Sequence, residues 1–474
     1  METYRPFIGG TWIDSTNKLS IINPATNEPF AEVATIDRAA VRGALEIAEK
    51  AFHAWSALTG LARGAFLSAV ASELERRSDA IARVITMENG KPLAQGRAEV
   101  AMTVDHFRWF AEEARRGYGR VVPHQADGKR NIVIRQPVGV VGCISPWNFP
   151  LVLAARKVAP ALAAGCAVLL KPASQTPLCA IELAKCMEAA GVPAGAFQVV
   201  VGKASEIGDE MLENPICKKI SFTGSTEVGK RLIQGASTTC TRLSLELGGN
   251  APLIIFADSD FDRAVEGAMT TKFRNNGQSC IAANRIYVER PVYERFLESF
   301  AAKTRGLKVG NGLDAGVDIG ALINKEGVDN ALRLIEDAKN RGARVVCGGA
   351  RWGSRGNFLE PTVIADVPDS ALCAREEIFA PVAAVYPFDS ENEAIEKANA
   401  TEFGLAAYAY TSNLNRAIRL AEKLEAGSIG LNDAVPTTSN CPFGGFKQSG
   451  WGRELGSEGL DAFLETKHIS IGNI

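Results

Sequence analysis

The sequence predicts an α/β protein built on doubly wound parallel sheets. Between residues 151 and 222, short apolar segments alternate with segments of helical periodicity, which is typical of a parallel sheet covered by helices on both faces. A second βα series runs from residue 253 to about residue 430. At 474 residues, the chain is long enough for roughly three domains.

The first predicted element is a helix over residues 37–58, and further helices follow through about residue 116. Its apolar positions recur at helical spacing and are Val41, Leu45, Ala48, Phe52 and Trp55. An alternating ribbon over residues 131–136 then precedes a buried strand, VGVVGCI.

Each βα series predicts its own run of elements. The first contains helices 151–163, 177–190 and 204–212 and strands 167–170, 197–201 and 219–222. The second begins with strand 253–256, helix 262–273 and strand 286–288. Residues 310–320 read as loop, and the alternating run 467–471 predicts a terminal strand that pairs with 131–136. Ligands of such sheets bind at the carboxyl ends of the strands, so the loops there should carry the site.

Composition narrows the class of protein. A hydrophobic fraction of 46% and a charged fraction of 22% exclude a disordered chain. The net charge of -2, without a basic stripe, argues against a nucleic-acid partner. Ten cysteines form no CxxC pair and four histidines none at ligand spacing, so no metal site is expected. No leader is evident and the longest apolar run, 158–170, is too short for a membrane span, so we expect a cytoplasmic protein.

Cys280 is the candidate nucleophile. It lies in the polar stretch KFRNNGQSCIAAN, between a predicted helix and a predicted strand. A turn of this kind can present a thiol to a cleft, but the chemistry also needs a group that handles protons. A buried structural cysteine is the alternative.

Two further motifs offer partners for this thiol. Glu246, in LELGGN, ends an apolar strand, where burial should raise its pKa and make it a better general base. Its alternative is an ion pair with a basic side chain. Asn148, in PWNFP, offers an amide N–H that could stabilise an oxyanion. Its alternative is a role in forming the turn.

Two strand ends could hold a phosphate or a ribose. FTGSTEVG, residues 222–229, follows a strand and opens a helix, where backbone N–H groups and the helix dipole favour an anion. An ordinary N-cap is the alternative there. Lys171, in KPAS, could bind ribose hydroxyls or a phosphate, and a surface lysine is its alternative.

Taken together, these motifs resemble the aldehyde dehydrogenase superfamily, and most closely its succinate-semialdehyde dehydrogenases. The resemblance runs from Phe7 to Lys467 and covers nearly the whole chain. Its motifs, in family order, are PWNFP, KPAS, FTGSTEVG, LELGGN, GQSC, EEIFAP and PFGGFKQSG.

The resemblance implies a two-stage covalent reaction. Cys280 would attack the aldehyde carbon, and Asn148 with the Cys280 backbone N–H would hold the oxyanion. Hydride would then pass to a nicotinamide, and Glu246 would activate the water that hydrolyses the thioester.

The resemblance also implies a dinucleotide site. Glu377 would hold the nicotinamide ribose, and Lys171 and Ser174 would meet the adenine ribose. Near the phosphates would lie Gly224, Ser225 and Gly229. The other implied cofactor contacts are Ile144, Pro146, Trp147, Leu247 and Phe379. Ser174 stands where members restricted to NAD often have Glu, so we expect NADP to be accepted as well as NAD.

The substrate is indicated by fewer residues. Arg156, Arg274 and Thr437 match positions where succinate-semialdehyde dehydrogenases contact their substrate, although Thr437 replaces a serine. Paired guanidinium groups suit a carboxylate. They would also attract glutarate semialdehyde or a sulfonate such as sulfolactaldehyde. Salt bridges to neighbouring helices are the alternative for both arginines. A broad aliphatic aldehyde dehydrogenase, or a binding protein without turnover, remains a further reading of the whole chain.

The implied domain organisation is discontinuous. Residues 1–122 and 142–249 would form the dinucleotide-binding domain, and residues 250–432 the catalytic domain. Residues 123–141 and 455–474 would supply oligomerisation strands, and 433–454 a loop that returns to the cleft. A homodimer or homotetramer is expected. Some relatives carry a second cysteine two positions after the nucleophile, but Ala282 stands there, so that redox switch is not expected.

Overall fold

A computed structural model describes residues 2–472. Met1 and residues 473–474, at the outer ends of the predicted segments 1–122 and 455–474, therefore lie outside the described residues.

Strands and helices are numbered in chain order. The strands are β1 Glu2–Tyr4, β2 Phe7–Ile8, β3 Thr11–Trp12, β4 Lys18–Asn23, β5 Glu28–Ala34, β6 Arg120–Val122, β7 Lys129–Pro137, β8 Val140–Ile144, β9 Ala167–Lys171, β10 Phe197–Val199, β11 Cys217–Thr223, β12 Arg242–Glu246, β13 Ala251–Ile255, β14 Ala283–Glu289, β15 Arg344–Cys347, β16 Thr362–Ala365, β17 Val382–Phe388, β18 Phe403–Gly404, β19 Ala406–Tyr410, β20 Ser428–Leu431, β21 Phe446–Lys447, β22 Gly450–Trp451 and β23 Leu464–Gly472. The helices are α1 Arg38–Ala57, α2 Gly60–Arg76, α3 Ser78–Asn89, α4 Leu93–Glu113, α5 Val152–Ala164, α6 Leu178–Ala189, α7 Ala204–Glu213, α8 Thr226–Ala236, α9 Phe261–Phe273, α10 Tyr293–Arg305, α11 Lys325–Asn340, α12 Leu372–Arg375, α13 Glu391–Asn399, α14 Leu414–Lys423 and α15 Gly456–Asp461.

The first βα series forms an eight-stranded sheet in the order β22-β12-β11-β8-β9-β10-β2-β3. Its five central strands are parallel. Successive residues of β9 face opposite sides: Val168 and Leu170 join the core that contains α5 and α6, whereas Leu169 joins the core that contains α1. This two-sided burial explains why the strands read as continuous apolar runs.

The second series forms a seven-stranded sheet in the order β15-β16-β17-β14-β13-β19-β20. All its pairs are parallel except the edge pair β15 and β16. Cys280 lies between α9 and β14, a central strand of this sheet. The predicted α/β class with doubly wound parallel sheets is therefore confirmed.

A third sheet is formed by β6, β7 and the C-terminal strand β23. β23 pairs with β7 in antiparallel register from Leu464 opposite Pro137 to Gly472 opposite Lys129. The predicted pairing of 467–471 with 131–136 is confirmed. On β23, Ile469 and Ile471 are exposed.

The short strands at the start of the chain were not predicted. β1 and β4 pair with β5 in a separate sheet, while β2 pairs antiparallel with β10 at one edge of the eight-stranded sheet. β22 adds to the other edge, antiparallel to β12. β1, β2, β3 and β22 have two or three residues and are too short to show a period in the sequence. β4 and β5, of six and seven residues, are long enough and were missed. The division into domains stays a prediction.

No helix within residues 2–472 is long and apolar enough to cross a membrane.

Candidate active site

Cys280 is half-buried in a turn that a strained backbone shapes. After α9 ends at Phe273, Asn275 and Asn276 adopt left-handed φ values of 55° and 56°. Non-glycine residues rarely occupy this region unless their surroundings fix them. Here the side chain of Asn276 donates to the carbonyl of Ala321 at 3.0 Å and accepts from the amide of Gly320 at 2.7 Å. These buried hydrogen bonds hold the turn that presents the thiol.

Cys280 lines two separate cavities. The first, which we call the Trp147 cavity, has a volume of about 210 Å³. Its walls are Pro146, Trp147, Asn148, Thr223, Gly224, Ser225, Leu247, Gly248, Cys280, Glu377 and Phe379. The second, which we call the Arg274 cavity, measures about 50 Å³. Its walls are Met102, Phe149, Val152, Leu153, Arg156, Arg274, Ser279, Cys280, Ile281, Val435, Thr437 and Phe443. Access from two sides argues against a purely structural cysteine.

The thiol is protonated in this state of the protein. Burial, with the nearby carboxyl groups of Glu377 and Glu246, raises the pKa of Cys280 to about 12, and the Arg156 guanidinium only partly opposes this shift. Attack by sulfur therefore needs a base that removes the proton, or a new positive charge in the site.

Glu246 is a buried carboxyl group at the end of β12. Burial and the neighbouring Glu454 raise its pKa well above the usual value, while Lys157 pulls it down. Glu246 forms no salt bridge among the residues that the structure describes, and its Oε2 has no hydrogen-bond partner there. The expected rise in pKa is confirmed, and the alternative of a structural ion pair is wrong. A carboxyl group in this condition can take a proton near neutral pH.

Asn148 faces the Trp147 cavity together with Cys280. It is buried, and its Nδ2 donates to the carbonyl of Gln278 at 3.2 Å. Gln278 lies two residues before Cys280, so this bond links the PWNFP loop to the nucleophile turn. The amide therefore does more than form its own turn.

The predicted phosphate-binding turn begins α8. Ser225 is the N-cap, and its Oγ accepts from the amide of Val228 at 3.3 Å. Gly224 and Ser225 line the Trp147 cavity, while Gly229 packs one turn behind them. A Cβ on Gly229 would lie 2.6 Å from the side chain of Leu247, so a larger residue at position 229 would require that side chain to move. The N-cap role and a phosphate role are therefore compatible at this turn.

The remaining cofactor candidates lie in three places. Glu377 and Phe379 line the Trp147 cavity, where Phe379 meets Trp147 edge to face at 5.3 Å. Ile144 pairs with Lys171 across the carboxyl ends of β8 and β9. Lys171 is buried, which contradicts the surface alternative, and burial lowers its pKa to about 8.

Ser174 lies apart from the Trp147 cavity. It lines a third cavity, of about 290 Å³, together with Glu88 and residues of β4. Ser174 therefore does not share a cavity with Glu377 and Phe379. The role of Ser174 in binding the adenine ribose stays a prediction.

Two guanidinium groups without acidic partners enclose the Arg274 cavity. Neither Arg156 nor Arg274 forms a salt bridge within residues 2–472, so the alternative of salt bridges to neighbouring helices is wrong. Arg156 lies over the ring of Phe443 at 4.8 Å, and Arg274 over that of Phe149 at 5.6 Å. Burial and the charge of Arg156 lower the pKa of Arg274. Within the described residues, the buried Arg156 Nε and Thr437 Oγ1 have no hydrogen-bond partner.

Sequence reasoning missed several buried charged residues around this centre. Lys157 donates to Thr223 at 2.6 Å and pairs with Glu454 beside Glu246. Lys272 is fully buried, and burial lowers its pKa to about 7 against the opposing pull of Glu377. In the sequence, these residues show only as charged residues within otherwise apolar stretches. Such a pattern does not indicate which side chain will lie beside the charge.

Lys91 and Glu99 form another buried pair that sequence reasoning missed, and it contacts the PWNFP loop.

Comparison with known proteins agrees with this geometry. The profile of the aldehyde dehydrogenase family matches residues 12–469. The chain is 46% identical to a glutarate-semialdehyde dehydrogenase of Pseudomonas aeruginosa, which covers 99% of this chain and 97% of the relative. It is also 46% identical to the NADP(+) succinate-semialdehyde dehydrogenase of Escherichia coli, covering 98% and 97%. A 3-sulfolactaldehyde dehydrogenase of Pseudomonas putida is 46% identical too, covering 99% and 97%.

A solved structure shares the fold throughout. The crystal structure of an aldehyde dehydrogenase from Brucella melitensis biovar abortus 2308 matches with a TM-score of 0.98 and 46% identity. The match covers 99% of this chain and 97% of that one.

Proposed function

The chain belongs to the aldehyde dehydrogenase family, and from that premise we propose that it oxidises a small anionic semialdehyde, mainly succinate semialdehyde, to the corresponding acid. One observation carries the choice of substrate. The cavity that Cys280 lines is also lined by the buried guanidinium of Arg156 and the half-buried guanidinium of Arg274. The hydroxyl of Thr437 lines it too and has no hydrogen-bond partner among the described residues.

Buried charges of one sign are costly unless a partner compensates them. A substrate carboxylate accepting from both guanidinium groups would supply that compensation and fix the orientation of the bound aldehyde. The distal acid would then lie at the arginines and the aldehyde carbon at the sulfur of Cys280. The cavity volume of about 50 Å³ favours a short chain.

The names of the relatives support this class of substrate. Three proteins of equal identity to this chain act, by name, on succinate semialdehyde, glutarate semialdehyde and 3-sulfolactaldehyde. Each of these aldehydes carries an acid group at its far end. Glutarate semialdehyde and sulfolactaldehyde are therefore the alternative substrates.

The residues divide the chemistry among them. Cys280 passes its proton to water, a step that the positive charge of bound NAD(P)⁺ would favour, and its sulfur forms a bond to the aldehyde carbon. The oxygen of the resulting thiohemiacetal accepts from Asn148 and from the Cys280 amide. NAD(P)⁺ supplies the hydride acceptor for oxidation to the thioester. Glu246 then removes a proton from water, and the hydroxide displaces the sulfur and releases the acid.

The Trp147 cavity suits a dinucleotide. Glu377 offers a carboxyl group to ribose hydroxyls, and Gly224 and Ser225 offer the N-terminal turn of α8 to phosphates. Lys171, with Ser174 in place of an acidic residue, supports the use of NADP as well as NAD, because position 174 itself brings no carboxylate that would repel a 2′-phosphate. One relative is NADP(+)-dependent by name. A homodimer or homotetramer in the cytoplasm completes the proposal, with the exposed strand β23 as one contact between subunits.

A comparison of aldehydes tests the proposal. We would measure kcat/KM for succinate semialdehyde, glutarate semialdehyde, 3-sulfolactaldehyde and the neutral butanal, with NAD⁺ and with NADP⁺. The acidic aldehydes should exceed butanal by at least ~10-fold, because one charge-assisted hydrogen bond contributes about 1.5–3 kcal/mol. A higher value for butanal would contradict the substrate assignment. Absence of NAD(P)H formation with every aldehyde would favour a binding protein instead.

A further inference from the structure

Lys91 and Glu99 form an ion pair that is completely buried beside the PWNFP loop. Their side chains have no exposed surface, and Nζ lies 2.6 Å from Oε2. Lys91 precedes α4 by two residues, and Glu99 lies in the second turn of that helix. A pair this deep costs several kcal/mol of desolvation per ion, so it is a weak source of stability. Its presence at a reaction centre calls for a different explanation.

Both partners of the pair contact the loop that carries Asn148. Lys91 Nζ donates to the carbonyl of Asn148 at 2.8 Å and lies 4.2 Å from the ring centre of Phe149. Glu99 Oε1 accepts from the amides of Leu151 at 2.9 Å and Val152 at 3.2 Å. The ammonium thus fixes the middle of the loop, and the carboxylate fixes the point where it enters α5.

The carbonyl of Asn148 has further donors on the other side. Asn275 Nδ2 donates to it at 2.9 Å and also to the carbonyl of Gln278 at 2.8 Å, which in turn accepts from Asn148 Nδ2. Asn89 Nδ2 makes a longer contact of 3.4 Å. The loop and the nucleophile turn therefore form one hydrogen-bonded unit, and Lys91 supplies its charged donor.

Charge on Lys91 depends on Glu99. Burial lowers the pKa of Lys91, and the adjacent Glu99 counteracts this shift. A neutral amine would be a weaker donor to Asn148, since hydrogen bonds from ionised donors are roughly twice as strong.

We propose that Lys91 and Glu99 are positioning residues that hold the Asn148 amide at the distance and angle needed to stabilise the oxyanion at Cys280. This inference rests on the proposed function, because it takes Asn148 as the oxyanion donor. Neither residue touches the reacting atoms. A displacement of about 1 Å in such a group can lower the rate about 100-fold.

The test uses the full-length enzyme and two variants. Lys91→Met with Glu99→Met removes both charges together, which leaves no buried ion unpaired. Glu99→Gln keeps an oxygen that can accept from Leu151 and Val152 but removes the negative charge. Arg97→Met is the matched control, since it removes an exposed ion pair with Asp79 from the same helix.

The readout is the pre-steady-state burst of NAD(P)H with succinate semialdehyde. We expect the burst rate to fall about 10- to 100-fold in the double variant, in proportion to a weakened oxyanion donor, and to a smaller degree in Glu99→Gln. The burst amplitude, which counts folded active sites, should stay the same. An aldehyde-deuterium isotope effect should appear on the burst rate rather than on kcat, because a burst of full amplitude requires a step after hydride transfer to limit turnover. Arg97→Met should match the wild type.

Combination with Asn148→Ala separates positioning from general damage. In that background, removal of the pair should change the burst rate less than about 3-fold, because residues that act through one group are not additive. Multiplicative losses, a reduced amplitude at unchanged rate, or an unchanged burst rate in the double variant would each overturn the inference. If Asn148→Ala alone leaves the burst rate intact, the assigned oxyanion role of Asn148 fails, and the inference fails with it.

Discussion

Replacement of Arg274 by methionine tests how the acid group of the substrate is recognised. The half-buried guanidinium lines the Arg274 cavity, and its Nη2 donates to the sulfur of Met102 at 3.3 Å. Methionine keeps an unbranched apolar stem beside Phe149 and removes only the charge and its donors. The cavity walls should therefore keep their shape.

The expected loss follows from the hydrogen bonds that the guanidinium would make. A hydrogen bond to a charged group contributes about 1.5–3 kcal/mol, and each 1.4 kcal/mol is about tenfold. The value of kcat/KM for succinate semialdehyde should thus fall about 10- to 150-fold, mostly through KM, since the bond to the distal acid is present before and during the reaction. Butanal has no acid group, so its kcat/KM should change by less than about 3-fold.

The assay is the initial rate of NAD(P)H formation over a range of each aldehyde. Arg263→Met is the control, because Arg263 is an exposed arginine on α9, the helix that ends directly before Arg274. Equal losses for succinate semialdehyde and butanal would show that Arg274 supports the fold of the site rather than the acid group. Unchanged kinetics with both aldehydes would remove Arg274 from substrate recognition altogether.

Three further predictions concern the base, the cofactor and the nucleophile. Glu246→Gln should keep a stoichiometric burst of NAD(P)H but lower steady-state turnover at least ~100-fold, because thioester hydrolysis loses its base; a lost burst with normal hydrolysis of the thioester would contradict this role. Ser174→Glu should lower kcat/KM for NADP⁺ at least ~10-fold while NAD⁺ changes less than ~3-fold, because a carboxylate repels the 2′-phosphate; equal effects on both cofactors would refute it. Since the Cys280 pKa of about 12 leaves the thiol protonated near neutrality, its alkylation by iodoacetamide without cofactor should rise about tenfold per pH unit from about pH 6 to 9, measured as activity loss; a plateau in this range would show a lower pKa.

The residues of the reaction centre could be singled out in the sequence because each lies in a short contiguous motif. Cys280, Glu246 and Asn148 each lie next to glycine, proline or an apolar strand. Local patterns of this kind can be recognised in the sequence without knowledge of the fold. The structure places all three close to the Trp147 cavity or to Cys280. The parallel sheets were predictable for the same reason, since their strands are buried on both faces and read as continuous apolar runs.

Contacts between distant segments could not be predicted in this way. Lys91 and Glu99 are charged residues at the start of α4, and nothing in their spacing shows that they meet the loop at Asn148, 57 positions after Lys91. The pairing of β2 with β10 depends equally on tertiary packing. Periodicity reports which face of an element is buried, but not what it is buried against.

The position of Cys280 between two separate cavities also bears on how such enzymes diverge. The walls of the Arg274 cavity come from α4, α5, Phe149, the turn between Arg274 and Ile281, and the 435–443 loop. Apart from Cys280 they share no residue with the walls of the Trp147 cavity. Substitutions in the walls of the Arg274 cavity can therefore change which aldehyde binds while the residues of the Trp147 cavity stay the same. Three relatives of equal identity to this chain bear three different aldehyde names, so overall identity does not by itself distinguish their substrates.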